Sequence, residues 1–226
     1  MSLEKIEHKG LNERVYSRIK EAIINGNLKS GTKINLNELA EKFGTSKTPI
    51  RQALNRLSYE GITEVIPRSG TYVKEYTVED IEKIFQIRSA LEELAIGLVI
   101  KRITANNIKK LKEINLICEE MYNKGKLKEF VTTDDKFHFY LLNLSNNEYI
   151  LPTYQTIQDK LHYFKISGLE ISCAIDSAIK YHDKIIDSLE KKDADLAEQY
   201  IKEHIEETFK NTVKFISQKQ EGKKNA

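Results

Sequence analysis

The sequence predicts a mainly α-helical protein of two domains, and three observations carry that expectation. Turn signals crowd the first third, at "NGNLKSG", "FGTSKTP", "YEG" and "PRSG", whereas proline occurs only once after residue 76, at Pro152. In the remainder, apolar residues recur at three- and four-residue spacing over long stretches, the period of one helix face. A length of 226 residues, with 40% hydrophobic and 31% charged, suits one or two folded domains with long exposed helices. The change of character places a small domain of mixed structure at residues 1–76 and an all-helical domain at residues 77–226.

Several classes are excluded. No apolar run approaches the roughly 18 residues of a membrane span, so no membrane partner is expected. The polar start "MSLEKIEHKG" does not read as a signal peptide. Cys118 and Cys173 stand alone without metal or redox spacing, which fits a reducing cytoplasm. The net charge of +2 is unevenly spread. Residues 1–76 hold 13 basic and 9 acidic residues, a net of +4, and the remainder nets −2. The first domain is therefore the part suited to a polyanion. The tail "QKQEGKKNA" has the composition of disorder.

In the first domain, Leu11 to about Ile24 is an amphipathic helix stopped by Asn25-Gly26. Asn35 is placed to cap a short helix, with Glu38 three residues on as in a capping box, and Gly44 ends it. Thr45 or Ser46 caps the next helix, Pro49 is tolerated in its first turn, and Gly61 follows its end. "ITEVIP" and "TYVKEY" then read as two strands joined at "RSG". Helix, helix-turn-helix, hairpin is the plan of a winged helix-turn-helix. On the third helix, Ile50, Ala53, Leu54 and Leu57 repeat as a core face, leaving Lys47, Thr48, Arg51, Gln52 and Asn55 on the other side. A lone polar face is more often merely solvated, but after a tight turn and before a basic hairpin it suits base edges and phosphates.

"LAEKFGTSKTPIRQALNRLSYEGI" followed by "PRSGTYV" resembles the signature of the GntR family of bacterial transcription regulators, over nearly all of residues 11–74. The resemblance implies that Arg51 is the main recognition-helix contact, helped by Lys47 and Thr48, and that Arg68, Ser69 and Gly70 carry the wing tip into the minor groove. Lys47 stands where arginine is usual and Asn37 replaces an arginine some members use, so the bidentate fork of arginine is missing there.

From Thr77 the spacing predicts six helices, at about 78–101, 104–124, 127–145, 148–166, 170–190 and 194–218. Polar residues interrupt their apolar stripes. Val131, Asp134, His138, Leu141 and Ser145 share one face, as do Ile175, Ile179, His182, Ile186 and Leu189, and Ala197, Ile201, His204 and Thr208. The turn near Lys192 lies at similar distances from His182 and His204, so an antiparallel pair brings them level. Each histidine alone reads as a hydrogen-bonded core residue, and Asp134 alone reads as the partner of a lysine. Together the four make a three-histidine, one-carboxylate metal site suited to zinc or nickel. Arg88 interrupts the stripe of Ile81, Ile84, Leu91 and Ala95. It reads either as a structural partner of Glu92 or as a guanidinium lining a pocket for a carboxylate. His162 reads as structural or as part of a pocket wall.

This half resembles the FCD ligand-binding domain of the FadR-like branch of the same family, in the shorter, six-helix VanR-like form. "D-x-x-F-H" at 134–138, "H-D-x-I-I-x-x-L" at 182–189 and His204 match its metal positions, and "R-x-x-L-E" matches at Arg88. Tyr181 stands where glutamate is common. The resemblance implies a cytoplasmic, homodimeric regulator, commonly a repressor, that binds palindromic double-stranded DNA and answers a small carboxylate at a metal-containing pocket. A metal-dependent enzyme using the same cluster and a purely structural metal are the alternatives. The chain has no H-E-x-x-H and no nucleophile motif to favour the enzyme.

Overall fold

The structure, a computed structural model, describes residues 10–167 and 173–224. It falls into two compact units, Met1–Glu75 and Tyr76–Ala226.

The first unit has the order α1 (Leu11–Ile24), α2 (Leu36–Phe43), α3 (Lys47–Tyr59), β1 (Thr63–Ile66) and β2 (Gly70–Val73). Val15, Tyr16, Ile19 and Ile23 of α1 are buried in one cluster with Ile50, Ala53, Leu54 and Leu57 of α3, so the predicted core face is the one used. Asn35 caps α2 by accepting from the backbone N–H groups of Asn37 and Glu38. The expected return bond from Glu38 is not made, because its carboxylate pairs with Lys42 at 2.7 Å instead. Gly44, at φ 59°, ends α2 in the left-handed region, where a side chain would be strained. The hairpin pairs Thr63 with Val73 through Ile66 with Gly70. On its other edge β2 meets residues 31–34, with the Ile34 N–H donating to Thr71 O at 2.8 Å and the Val73 N–H to Thr32 O at 3.0 Å.

The second unit is helical throughout its described residues: α4 (Val78–Val99), α5 (Ala105–Asn123), α6 (Leu127–Leu144), α7 (Ile150–Ser167), α8 (Cys173–Lys191) and α9 (Ala194–Lys224). The first residues of the helix expected at 170–190 lie outside those described. Capping boxes start α4, between Thr77 and Asp80, and α5, between Thr104 and Asn107. Lys192, at φ 57°, makes the tight turn between α8 and α9. α9 runs on to Lys224 through most of a tail whose composition reads as disordered. Its Gln, Glu and Lys residues are good helix formers once a packed helix precedes them. α4 packs against α6 and α9, α5 against α6 and α8, α6 against α7, and α8 against α9. The core includes Ile81, Ile96, Leu111, Phe137, Leu141, Leu161, Ile185, Leu189 and Ile201.

Leu57 is fully buried in the first unit's cluster. Leu57→Ala should cost about 2–5 kcal/mol, read as a lower urea midpoint, because the void cannot fully collapse. A loss below about 0.5 kcal/mol would place Leu57 outside the core.

Candidate metal centre and nucleic-acid interface

α6 carries Asp134 and His138 one turn apart, and the α8–α9 hairpin sets His182 and His204 level, with ring centroids 5.0 Å apart. One ligand atom from each of these four buried residues lies within 4.8 Å of the other three. The spacing in the sequence and the tight turn at Lys192 are what bring them together.

The hydrogen bonds fix how the rings face. Glu92 Oε2 accepts from His138 Nδ1 at 2.7 Å, which leaves Nε2 with a lone pair, and Arg88 Nη2 donates to it at 2.9 Å. Asn115 Oδ1 accepts from His182 Nδ1 at 3.0 Å, and Asn115 in turn donates to Asp183 Oδ1 at 2.7 Å and to Ile179 O at 3.3 Å. His182 Nε2 is thereby turned inward, 3.5 Å from Asp134 Oδ1, and has no hydrogen-bond partner. His204 Nε2 lies 3.2 Å from His138 Nε2. Phe137 stacks on the His182 ring at 3.8 Å between centroids and covers that face. A buried imidazole lone pair without a donor is costly, and a cation shared with the neighbouring donors would relieve it. The donor set thus fits a divalent transition metal, with the outer nitrogens of His138 and His182 already held by an oxygen acceptor.

Two cations reach into the same cluster. Arg88 is fully buried, donates from Nε to Glu92 Oε1 at 2.8 Å, and leaves Nη1 without a partner. Lys165 of α7 sits 2.5 Å from Asp134 Oδ2 and 2.7 Å from Asp135 Oδ1. His162 pairs with the other oxygen of Asp135, so its contact is with that carboxylate and not with the cluster. No motif in the sequence assigns a role to Lys165, Asn115 or Asp183. Lys165 had a readable signal, lying four residues after Leu161 and eleven after Tyr154 on the apolar stripe of α7.

Electrostatics follow from this packing. Burial would raise the carboxyl of Glu92, but His138 and Arg88 outweigh it and hold the group at about 2. Asp134 is likewise pushed up by burial and held well below the usual carboxylate range, foremost by Lys165. Burial lowers His182 to about 3 and also depresses His204, so both are neutral at ordinary pH.

In the first unit, Lys47, Thr48, Arg51, Gln52 and Asn55 are all exposed along α3. Gln52 accepts from Asn12 of α1 at 2.8 Å, which steadies that face. Arg68 is exposed at the wing tip with φ 62°, Ser69 Oγ lies 2.6 Å from Tyr72 OH, and Gly70 has φ 135°. A Cβ on Gly70 would come 3.1 Å from Lys33 Cε, so Lys33, which no motif in the sequence marks, adds a basic side chain beside the wing. The face and the tip are laid out as phosphate and groove contacts require.

Residues 11–73 match the family model described as "Bacterial regulatory proteins, gntR family", and residues 83–207 match that described as "FCD domain". The chain is 28% identical over 211 residues to the uncharacterized HTH-type transcriptional regulator YdhC of Bacillus subtilis (strain 168), covering 93% of each protein. It is 22% identical over 198 residues to the HTH-type transcriptional repressor RspR of Escherichia coli (strain K12), covering 87% of this chain and 86% of that one. Among solved structures, E. coli McbR/YncC superposes with a TM-score of 0.74 at 21% identity, covering 94% of this chain and 100% of that one.

The neutral imidazoles make stability depend on acid. Unfolded, His182 titrates near 6.5, and folded near 3, so below 6.5 the unfolded chain takes up a proton that the folded one refuses. This contribution is whole above 6.5 and is lost as pH falls toward 3, with His204 acting in the same direction. Tm should therefore fall between about pH 7.5 and about pH 5, and less steeply in His182→Phe. A Tm unchanged over that interval would show that these rings are not buried and neutral.

Proposed function

The chain belongs to the gntR family of bacterial transcriptional regulators and carries an FCD domain, and from this we propose that it binds palindromic operator DNA as a homodimer and senses a small carboxylate at a zinc or nickel centre. The observation that carries the sensing half is the inward, unpartnered Nε2 of His182 among four buried donors within 4.8 Å. Asp134, His138, His182 and His204 would hold the metal. When bound, Zn²⁺ or Ni²⁺ would supply a Lewis acid with open positions for an oxygen ligand. Arg88, whose Nη1 has no partner, would hold the carboxylate by a charge-assisted bond. On DNA, Arg51 reads a base edge from α3, Lys47 and Thr48 hold phosphates, and Arg68 with Ser69 and Gly70 enters the neighbouring minor groove.

Two copies present two recognition helices, which suits a palindrome. The carboxylate changes operator affinity to the extent that it binds the DNA-competent and DNA-incompetent forms unequally. The reading extends to a repressor acting in the cytoplasm, with its sign taken from the likeness to the transcriptional repressor RspR. No described helix is long and apolar enough to cross a membrane.

Arg51→Ala should weaken binding to a selected palindromic duplex by about 1–3 kcal/mol in a gel-shift titration. Wild-type affinity should fall with salt with a log–log slope of about −0.9 per phosphate neutralised. Equal binding by wild type and Arg51→Ala would remove Arg51 from the interface.

Elemental analysis of untagged protein should find one Zn or Ni per chain, with the metal lost in His182→Ala and His204→Ala. Protein that stays sub-stoichiometric after incubation with either ion would refute the centre. Helicity retained in both variants while carboxylate binding is lost would tie the metal to sensing, and helicity lost with it would mean a structural ion.

A further inference from the structure

Two donor atoms of the proposed centre are already held by side chains that carry positive charge. Arg88 Nη2 donates to His138 Nε2 at 2.9 Å, using the lone pair that a metal would need. Lys165 Nζ lies 2.5 Å from Asp134 Oδ2. Each cation also has a second carboxylate anchor outside the donor set. Arg88 keeps Glu92 through Nε at 2.8 Å, and Lys165 keeps Asp135 at 2.7 Å. Either can therefore give up its donor without leaving its seat or stranding a buried charge.

We propose that Arg88 and Lys165 are displaceable internal cations, which hold two donors of the centre until a metal takes them and then turn their freed N–H groups to the anionic effector. The inference rests on the metal reading above and adds an order to it: metal first, anion second. Lys165 is thereby a specificity-determining residue of the site, because its freed N–H groups favour an anion within their reach.

The test uses Lys165→Gln, which keeps a hydrogen-bond donor for Asp135 and removes the charge. Zinc affinity is read by competition with a chromophoric chelator, and anion affinity by the change in the visible spectrum of the Co²⁺-loaded protein on adding acetate. Losing a competing cation should tighten zinc binding about tenfold and weaken acetate binding about tenfold, within the usual range of coupling between sites. Wild-type Co²⁺ protein should respond to acetate, and acetate should not raise the Tm of the metal-stripped protein. If Lys165→Gln folds only with zinc present, as followed by circular dichroism, the exchange is supported. If it stays unfolded with excess zinc, Lys165 is a structural partner and the inference fails. Zinc binding in Lys165→Gln that is unchanged or weaker, with wild type binding zinc normally, overturns this inference alone. Wild type that takes no metal overturns the metal reading and this inference together.

Discussion

The second unit is organised around one constraint: charged and imidazole groups from α4, α6, α7, α8 and α9 are taken out of water at the same place. None of them is tolerable there alone. Asp134 needs Lys165, Glu92 needs Arg88 and His138, and the ring of His182 needs the amide of Asn115. The surrounding apolar stripes supply most of the burial energy, but apolar surfaces slide. The polar contacts admit one register of each helix against the others, because a shift by one residue would strand a charge. The pairs are thus better understood as specifying the packing than as adding to its stability.

The first unit solves a different problem with ordinary means. A small core of α1 against α3 leaves the opposite side of α3 free, and backbone bonds from residues 31–34 and β1 on the two sides of β2 hold the wing. The exposed side chains that would meet DNA therefore stand on rigid backbone, which favours specific contact over induced ordering. Chemistry suited to a polymer lies on the surface here, and chemistry suited to a small molecule lies inside the other unit.

Much of this was legible in the sequence, and the reason is periodicity. Ile50, Ala53, Leu54 and Leu57 are buried as their spacing implies, and so are Val131, Asp134, His138, Leu141 and Ser145. The end of α4 and the turn at Lys192 were readable because caps, glycines and charge clusters punctuate helices locally. What could not be read was which helix faces which. Asn115 looks like any polar residue on α5 until α8 is laid against it, and Lys165 looks like one of many lysines until α7 reaches Asp134. Glu38 shows the same limit at short range: two partners lay within reach, and the sequence did not say that Lys42 would win over the backbone. Arg88 takes its structural reading, the pair with Glu92, and keeps one nitrogen without a hydrogen-bond partner.

Burial of the cluster also bears on time. His138 and His182 are 0% exposed, His204 is 2% and Asp134 is 3%. Nothing dissolved in water can reach these atoms without a transient parting of the helices, and such openings are rarer the more contacts they break. Arrival and departure at the centre are then slowed by the small fraction of time the bundle is open. A regulator built this way would average over brief fluctuations and answer to conditions that persist, acting as a slow integrator of its chemical surroundings.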